Sequence, residues 1–148
     1  MANCNQLKLI TKARLKSASI LMDAGDWDGS IYMMGHVLEC ALKAAVCKSL
    51  RLNEYPEGSK DKHFMTHNFD QLLVLSGLSD IFNLNTIPDT IFRNWSEFTQ
   101  EFTGNWPEMR YDYTRLQLFD EVKAKKLYDT LTNKPHGIIE TIKIKKRW

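Results

Sequence analysis

No stretch of this 148-residue chain reads as a leader, a membrane span or a metal cluster. The longest apolar runs fall far short of the roughly 18 residues that a bilayer crossing needs. The N-terminal "MANCNQLKLITKARLKSAS" has no apolar core and no cleavage pattern, which implies a cytoplasmic protein without a membrane association. Cysteine is sparse. Cys4, Cys40 and Cys47 are an odd set with no CxxC, and the last two lie seven positions apart on one expected helix, too far to bridge. Free thiols in a reducing compartment follow. There is no Gly-rich phosphate loop, no HExxH, no GxSxG and no pair of Glu-x-x-His motifs. His36 and Glu39 come in the reverse order, once, without partner carboxylates, so neither a metal nor another cofactor is expected.

The two signs of charge nearly balance, 20 basic against 18 acidic residues. A net +2 is too small to imply nucleic acid by itself. The distribution says more, because Lys134, Lys143, Lys145, Lys146 and Arg147 face only Glu140 in the last fifteen residues. Such a tail, basic over 143–148, can touch phosphate, but it equally suits the negative end of a helix dipole or a solvated, frayed end.

What the chain does have is helical periodicity, with 43% hydrophobic and 26% charged residues over a length that makes one domain, 1–148. The spacing predicts a first helix from about Gln6 to Ala24 with Ile10, Ala13, Ser17, Ile20, Leu21 and Ala24 on its apolar face. Gly25 ends it, and Asp26 or Asp28 caps the next. The second helix, about Trp27 to Leu50, is apolar on two sides: Ile31, Met34, Leu38, Ala41, Leu42 and Ala45 on one, Met33, Val37, Cys40, Ala44 and Cys47 on the other. Only Tyr32, His36, Glu39 and Lys43 make a polar stripe. A helix of that kind is central in its bundle or shared with a second subunit.

Residues 52–66 read as an exposed loop. "THNFDQLLVLSGL" reads as a short helix with Asn68 and Gln71 spaced as a capping box. Ile87-Pro88-Asp89 reads as another helix start, followed by an aromatic stripe at Phe92, Trp95, Phe98 and Phe102 that fits a core better than a base-stacking platform. After an irregular "EMRYDYTRLQ", a last helix begins near Gln117, with a kink or break expected around Asn133 to Gly137 because of Pro135. The fold class is all-α, an up-and-down bundle of four to five helices.

Candidate site residues concentrate before the last helix. Arg110, Tyr111, Asp112, Tyr113 and Arg115 crowd into six positions, where guanidinium groups can bind phosphate and tyrosines can stack on a base. The same residues can instead tie the irregular segment to the bundle, and both readings stand. His67 reads first as a residue of the cap region.

The order "ARLKSASILMDAGDWDGSIYMMGHVLECALKAAV", then "THNFDQLL", then "RYDY" resembles the HEPN domain (higher eukaryotes and prokaryotes nucleotide-binding) over roughly residues 7–142. The matching features are Ala13 to Ala24, the Gly25-Asp26-Trp27 turn, Glu39 with Leu42-Lys43-Ala44, His67 to Leu73, and Arg110-Tyr111. The resemblance implies a homodimer through the second and last helices, with a groove that receives a nucleotide or RNA.

Many members are metal-independent ribonucleases with an arginine followed four to six residues later by a histidine; here neither Arg110 nor Arg115 has that histidine. The expectation is therefore a non-catalytic module that binds a nucleotide, RNA or a partner protein; a pairing with a nucleotidyltransferase in a toxin–antitoxin or defence system is what the resemblance further implies. Its ligand-binding residues are Arg110, Tyr111, Asp112, Tyr113 and Arg115, with Glu39 and Lys43 nearby. The alternative is a ribonuclease whose histidine is displaced, with Arg110, His67 and His36 as its catalytic candidates.

Overall fold

The computed structural model describes residues 2–57, 62–83, 89–103, 105–116 and 118–148. Among them the chain is helical, with no strand and one isolated bridge, Asn3 to Glu54.

α1 spans Cys4–Asp23 and starts at a reciprocal cap: Gln6 N donates to Asn3 Oδ1 while Asn3 N donates to Gln6 Oε1, both at 2.9 Å. Gly25, at φ +80°, turns the chain in a conformation open to glycine at little cost. Asp26, rather than Asp28, then caps α2 (Trp27–Ser49) by accepting from Gly29 N. The two helices run antiparallel. Cys4 Sγ, at the start of α1, meets the Ala44 carbonyl, and Ser30 Oγ donates at 2.7 Å to the Ala18 carbonyl at the far end.

α2 is the central element, in contact with α1, α3 (Phe69–Ser76), α5 (Glu121–Thr132) and α6 (Ile138–Lys146). Met34, Val37, Leu38, Ala41, Leu42, Ala44 and Ala45 are all fully buried, so the chain itself fills most of both apolar flanks, while Met33 and Cys40 on the second flank stay half-buried. The central position accounts for the buried part of that pattern. By length and composition α2 is also long and apolar enough to cross a membrane, which a count of unbroken apolar runs misses; 72% of that window is buried in the fold.

The face of α1 differs from the one its periodicity suggests. Leu7, Thr11 and Ala18 are buried, with Leu15 and Met22 packed beside them, whereas Ile10, Ala13, Ile20 and Ala24 are exposed. Small side chains let α1 lie close on α2, and the buried Thr11 hydroxyl is satisfied by donating to the Leu7 carbonyl at 2.8 Å.

α3 is capped by Asn68, whose side chain accepts from Gln71 N, and ends at Gly77 in the left-handed region. α4 spans Thr90–Thr99; its expected proline lies outside the described residues, and Asp89 makes no side-chain cap bond. Ile91, Trp95, Phe98 and Phe102 are core residues. The loop over 52–66 is not wholly exposed where it is described, because Tyr55 is fully buried and its hydroxyl donates to the Phe64 carbonyl at 2.6 Å.

Past α4 the chain makes two short 3₁₀ turns, Trp106–Tyr111 and Tyr113–Arg115. The proposed start near Gln117 lies outside the described residues, and α5 begins at Glu121 with Asp120 as its cap. The break expected at Pro135 separates α5 from α6, and the Lys134–Pro135 peptide is cis. The basic end is helical through Lys146 and docked: Lys48 Nζ donates to the Arg147 carbonyl at 3.1 Å, and Lys8 lies over the Trp148 ring.

Candidate ligand-binding site

The polar stripe of α2 is roofed by aromatic side chains. Trp106 lies across it, its ring 5.0 Å from His36 and 5.7 Å from Tyr32, and it packs on Phe69 and Phe102 behind. Gly35 makes this approach possible. A Cβ there would come within 2.7 Å of the Trp106 ring and 2.8 Å of the Phe102 ring. Trp106 Nε1 donates to the His67 carbonyl at 2.9 Å, which fixes the strand of loop ahead of α3 against the same stripe.

Glu39 is the most enclosed charge in the protein's described core, 6% exposed. His67 Nδ1 donates to its Oε1, and Lys43 Nζ lies 3.7 Å from the same oxygen. A carboxylate can only accept, so His67 carries a proton on Nδ1, and Nε2 lies at the other edge of the half-exposed ring. Lys43 also sits 4.9 Å over the Tyr55 ring. Burial, with the negative charge of Glu39 added, pushes the Tyr55 phenol well up, so it stays protonated and keeps its bond to Phe64.

A second cluster gathers at the other end of the stripe. Arg110 Nη1 donates to Tyr32 Oη at 3.3 Å, and the guanidinium stacks 4.7 Å from the Tyr111 ring. That hydrogen bond raises the guanidinium pKa further, so Arg110 is charged at every working pH. The side chains open on a cavity of about 400 Å³ lined by Asp26, Asp28, Tyr32, Arg110, Tyr113 and Arg115 among others. Tyr111 and Tyr113 are 74% and 80% exposed. A further cavity of about 490 Å³ lies along the same 3₁₀ segment, with Glu101, Trp106 and Glu108 in its wall.

His36 links the clusters, its ring edge-on to Tyr32 at 4.8 Å. Burial lowers its pKa; the charge of Glu39 opposes this, and those of Arg110, His67 and Arg14 add to it. His36 is therefore neutral at neutral pH.

The candidates thus fall into two groups on one stripe. Arg110, Tyr111, Tyr113 and Arg115 line one pocket with Tyr32; Glu39, Lys43 and His67 form the other group. Two of them are partly committed to structure. Asp112 Oδ1 accepts from Thr114 N and Oγ1, holding the turn, and Arg115 Nη2 donates to the Glu101 carbonyl at 3.3 Å. Arg115 Nε is buried with no hydrogen-bond partner among the described residues. Trp106, Gly35, Asp26 and Asp28 also belong to the site. Only the wide spacing of Trp106 and Gly35 in the chain hides their contact from a reading of the residues in order.

No group of three or more His, Cys, Asp or Glu side chains that could hold a metal ion occurs among the described residues. The three cysteines are free, and burial pushes the Cys40 and Cys47 thiols up to about 11. Comparison of the chain with known families, curated proteins and solved structures returns no match.

Proposed function

We propose that the protein is a HEPN-like module that binds a nucleotide without cleaving it, at the pocket headed by Arg110. The carrying observation is the guanidinium of Arg110, fixed by Tyr32 and stacked on Tyr111 at the edge of a cavity of about 400 Å³. A fixed guanidinium beside exposed tyrosine faces suits a phosphate joined to a planar base. The volume falls in the range of small-molecule sites.

The charges around the cavity favour a small ligand over a long RNA. Asp26, Asp28 and Asp112 oppose Arg110 and Arg115 there. A long RNA backbone meets repulsion in such a site, whereas a mononucleotide brings only one phosphate group and a base edge with donors for carboxylates. Titration calorimetry with mono- and dinucleotides, wild type against Arg110→Ala, tests this directly. The homodimer and the nucleotidyltransferase partner rest on the family resemblance and not on the pocket.

A second reading has its own observation. The Glu39–His67 pair is the arrangement in which a carboxylate orients an imidazole as a proton acceptor, which is what a ribonuclease with a displaced histidine needs. His36, half-buried among Tyr32 and Trp106 and with its pKa lowered by burial, suits packing better than proton transfer. Incubation with labelled RNA in EDTA separates the two readings: cleavage lost in His67→Ala and in Arg110→Ala supports the ribonuclease, and intact RNA supports binding alone.

A further inference from the structure

The exposed side of α1 carries an apolar seam that the fold does not use. Ile10, Ala13, Ser17, Ile20 and Ala24 succeed one another at alternating steps of three and four, the spacing that turns a seam toward a second helix. Leu9 and Ile20 are 67% and 56% exposed, and Ala13 and Ala24 are exposed as well. Among the described residues α1 is covered mainly by α2, on the opposite face, with a smaller contact to α5 and with Trp148 under Lys8.

The edges of the seam select what covers it. Lys12 and Lys16 run along one edge and Arg14 along the other, and none of the three is in an ion pair among the described residues. Asp23 is the one acid in the helix. A second copy of α1 would bring cations against cations over most of its length. A lipid surface rewards large apolar side chains, yet the middle of the seam is Ala13 and Ser17, which add little area and instead allow a helix to approach closely.

We propose that this face of α1 docks an acidic amphipathic helix of another protein. Leucine or isoleucine at the partner's seam positions packs between Ile10 and Ile20 over Ala13 and Ser17. Glutamate or aspartate on its flanks meets Lys12, Lys16 and Arg14, which sets orientation and speeds encounter.

The test uses the full chain and two labelled synthetic helical peptides with one leucine seam, one flanked by glutamate and the other by lysine, read by fluorescence anisotropy. The glutamate peptide is expected to bind saturably, at least about tenfold tighter than the lysine peptide, and more weakly as salt rises. Ile20→Asp, at an exposed position, is expected to abolish binding with the circular dichroism spectrum unchanged. Lys12→Glu with Lys16→Glu reverses the peptide preference, and Val74→Asp, exposed on α3, leaves it unaltered. Equal affinity for both peptides, or undiminished binding by Ile20→Asp, overturns the proposal. So does a dimer in light scattering that dissolves in Ile20→Asp, which assigns the face to a second copy. Sedimentation with phosphatidylserine vesicles that Ile20→Asp removes, without a peptide preference, assigns it to lipid and overturns it too.

Discussion

Glu39, buried on α2, accepts a hydrogen bond from Nδ1 of His67, twenty-eight positions further along the chain. With Lys43 at 3.7 Å, this is the means by which an enclosed carboxylate is kept satisfied and the loop before α3 is held to the central helix. Removing the imidazole leaves Glu39 with one long ion pair. His67→Ala is expected to cost about 1–3 kcal/mol in urea unfolding. Glu39→Gln costs less, because its amide oxygen still accepts. The double variant should be non-additive, and simple additivity of the two changes would deny the pairing.

Gly35 and Trp106 give the sharpest steric expectation. Alanine at position 35 gains about 1 kcal/mol of helix propensity. Its methyl group, however, meets the rings of Trp106 and Phe102 well inside contact distance. Overpacking of that kind typically costs about 1–3 kcal/mol, so Gly35→Ala is expected to be destabilised and to alter the near-ultraviolet dichroism of the tryptophans. A variant more stable than the parent with an unchanged spectrum rules this contact out.

His36 makes stability depend on pH. Its folded pKa is depressed by burial, so the folded protein holds it neutral while the unfolded chain protonates it near its ordinary value. Its contribution is fully present above about pH 6.5 and is lost as the pH falls through the folded pKa. In urea melts between about pH 7 and about pH 5, His36→Gln should lose less stability than the wild type. A steeper loss in the variant contradicts the depressed pKa.

The thiols of Cys40 and Cys47, pushed up to about 11 by burial, carry little thiolate at mild pH. Both should react with a disulfide reagent at about pH 8 on the order of a hundredfold slower than free cysteine, and react at once in denaturant. Rapid labelling of Cys47 in the native protein is the contrary outcome.

Much of the fold is legible in local patterns. Asn68 with Gln71, Gly25, Gly77 and Pro135 act over one turn of chain, and each marks a boundary where the structure has one. The orientation of α1 is not legible in this way. Its strongest apolar stripe, Ile10 to Ala24, faces outward, and its core face relies on Thr11 and Ala18, whose value is closeness to α2 rather than hydrophobicity. The site divides likewise. Arg110 to Arg115 adjoin in the chain, so their cluster is visible there. The bonds of His67 to Glu39 and Trp106 join residues twenty-eight and thirty-nine positions apart, and only the packed aromatic layer brings them together.

The most direct measurement is calorimetric titration of the wild type and Arg110→Ala with a panel of mononucleotides. Arg110 is exposed, and its replacement should leave the melting temperature unchanged. Saturable binding of at least one mononucleotide, weakened about tenfold or more in Arg110→Ala, is expected for a phosphate held by this guanidinium. Silence across the panel, or equal binding by both proteins, contradicts a nucleotide site at Arg110.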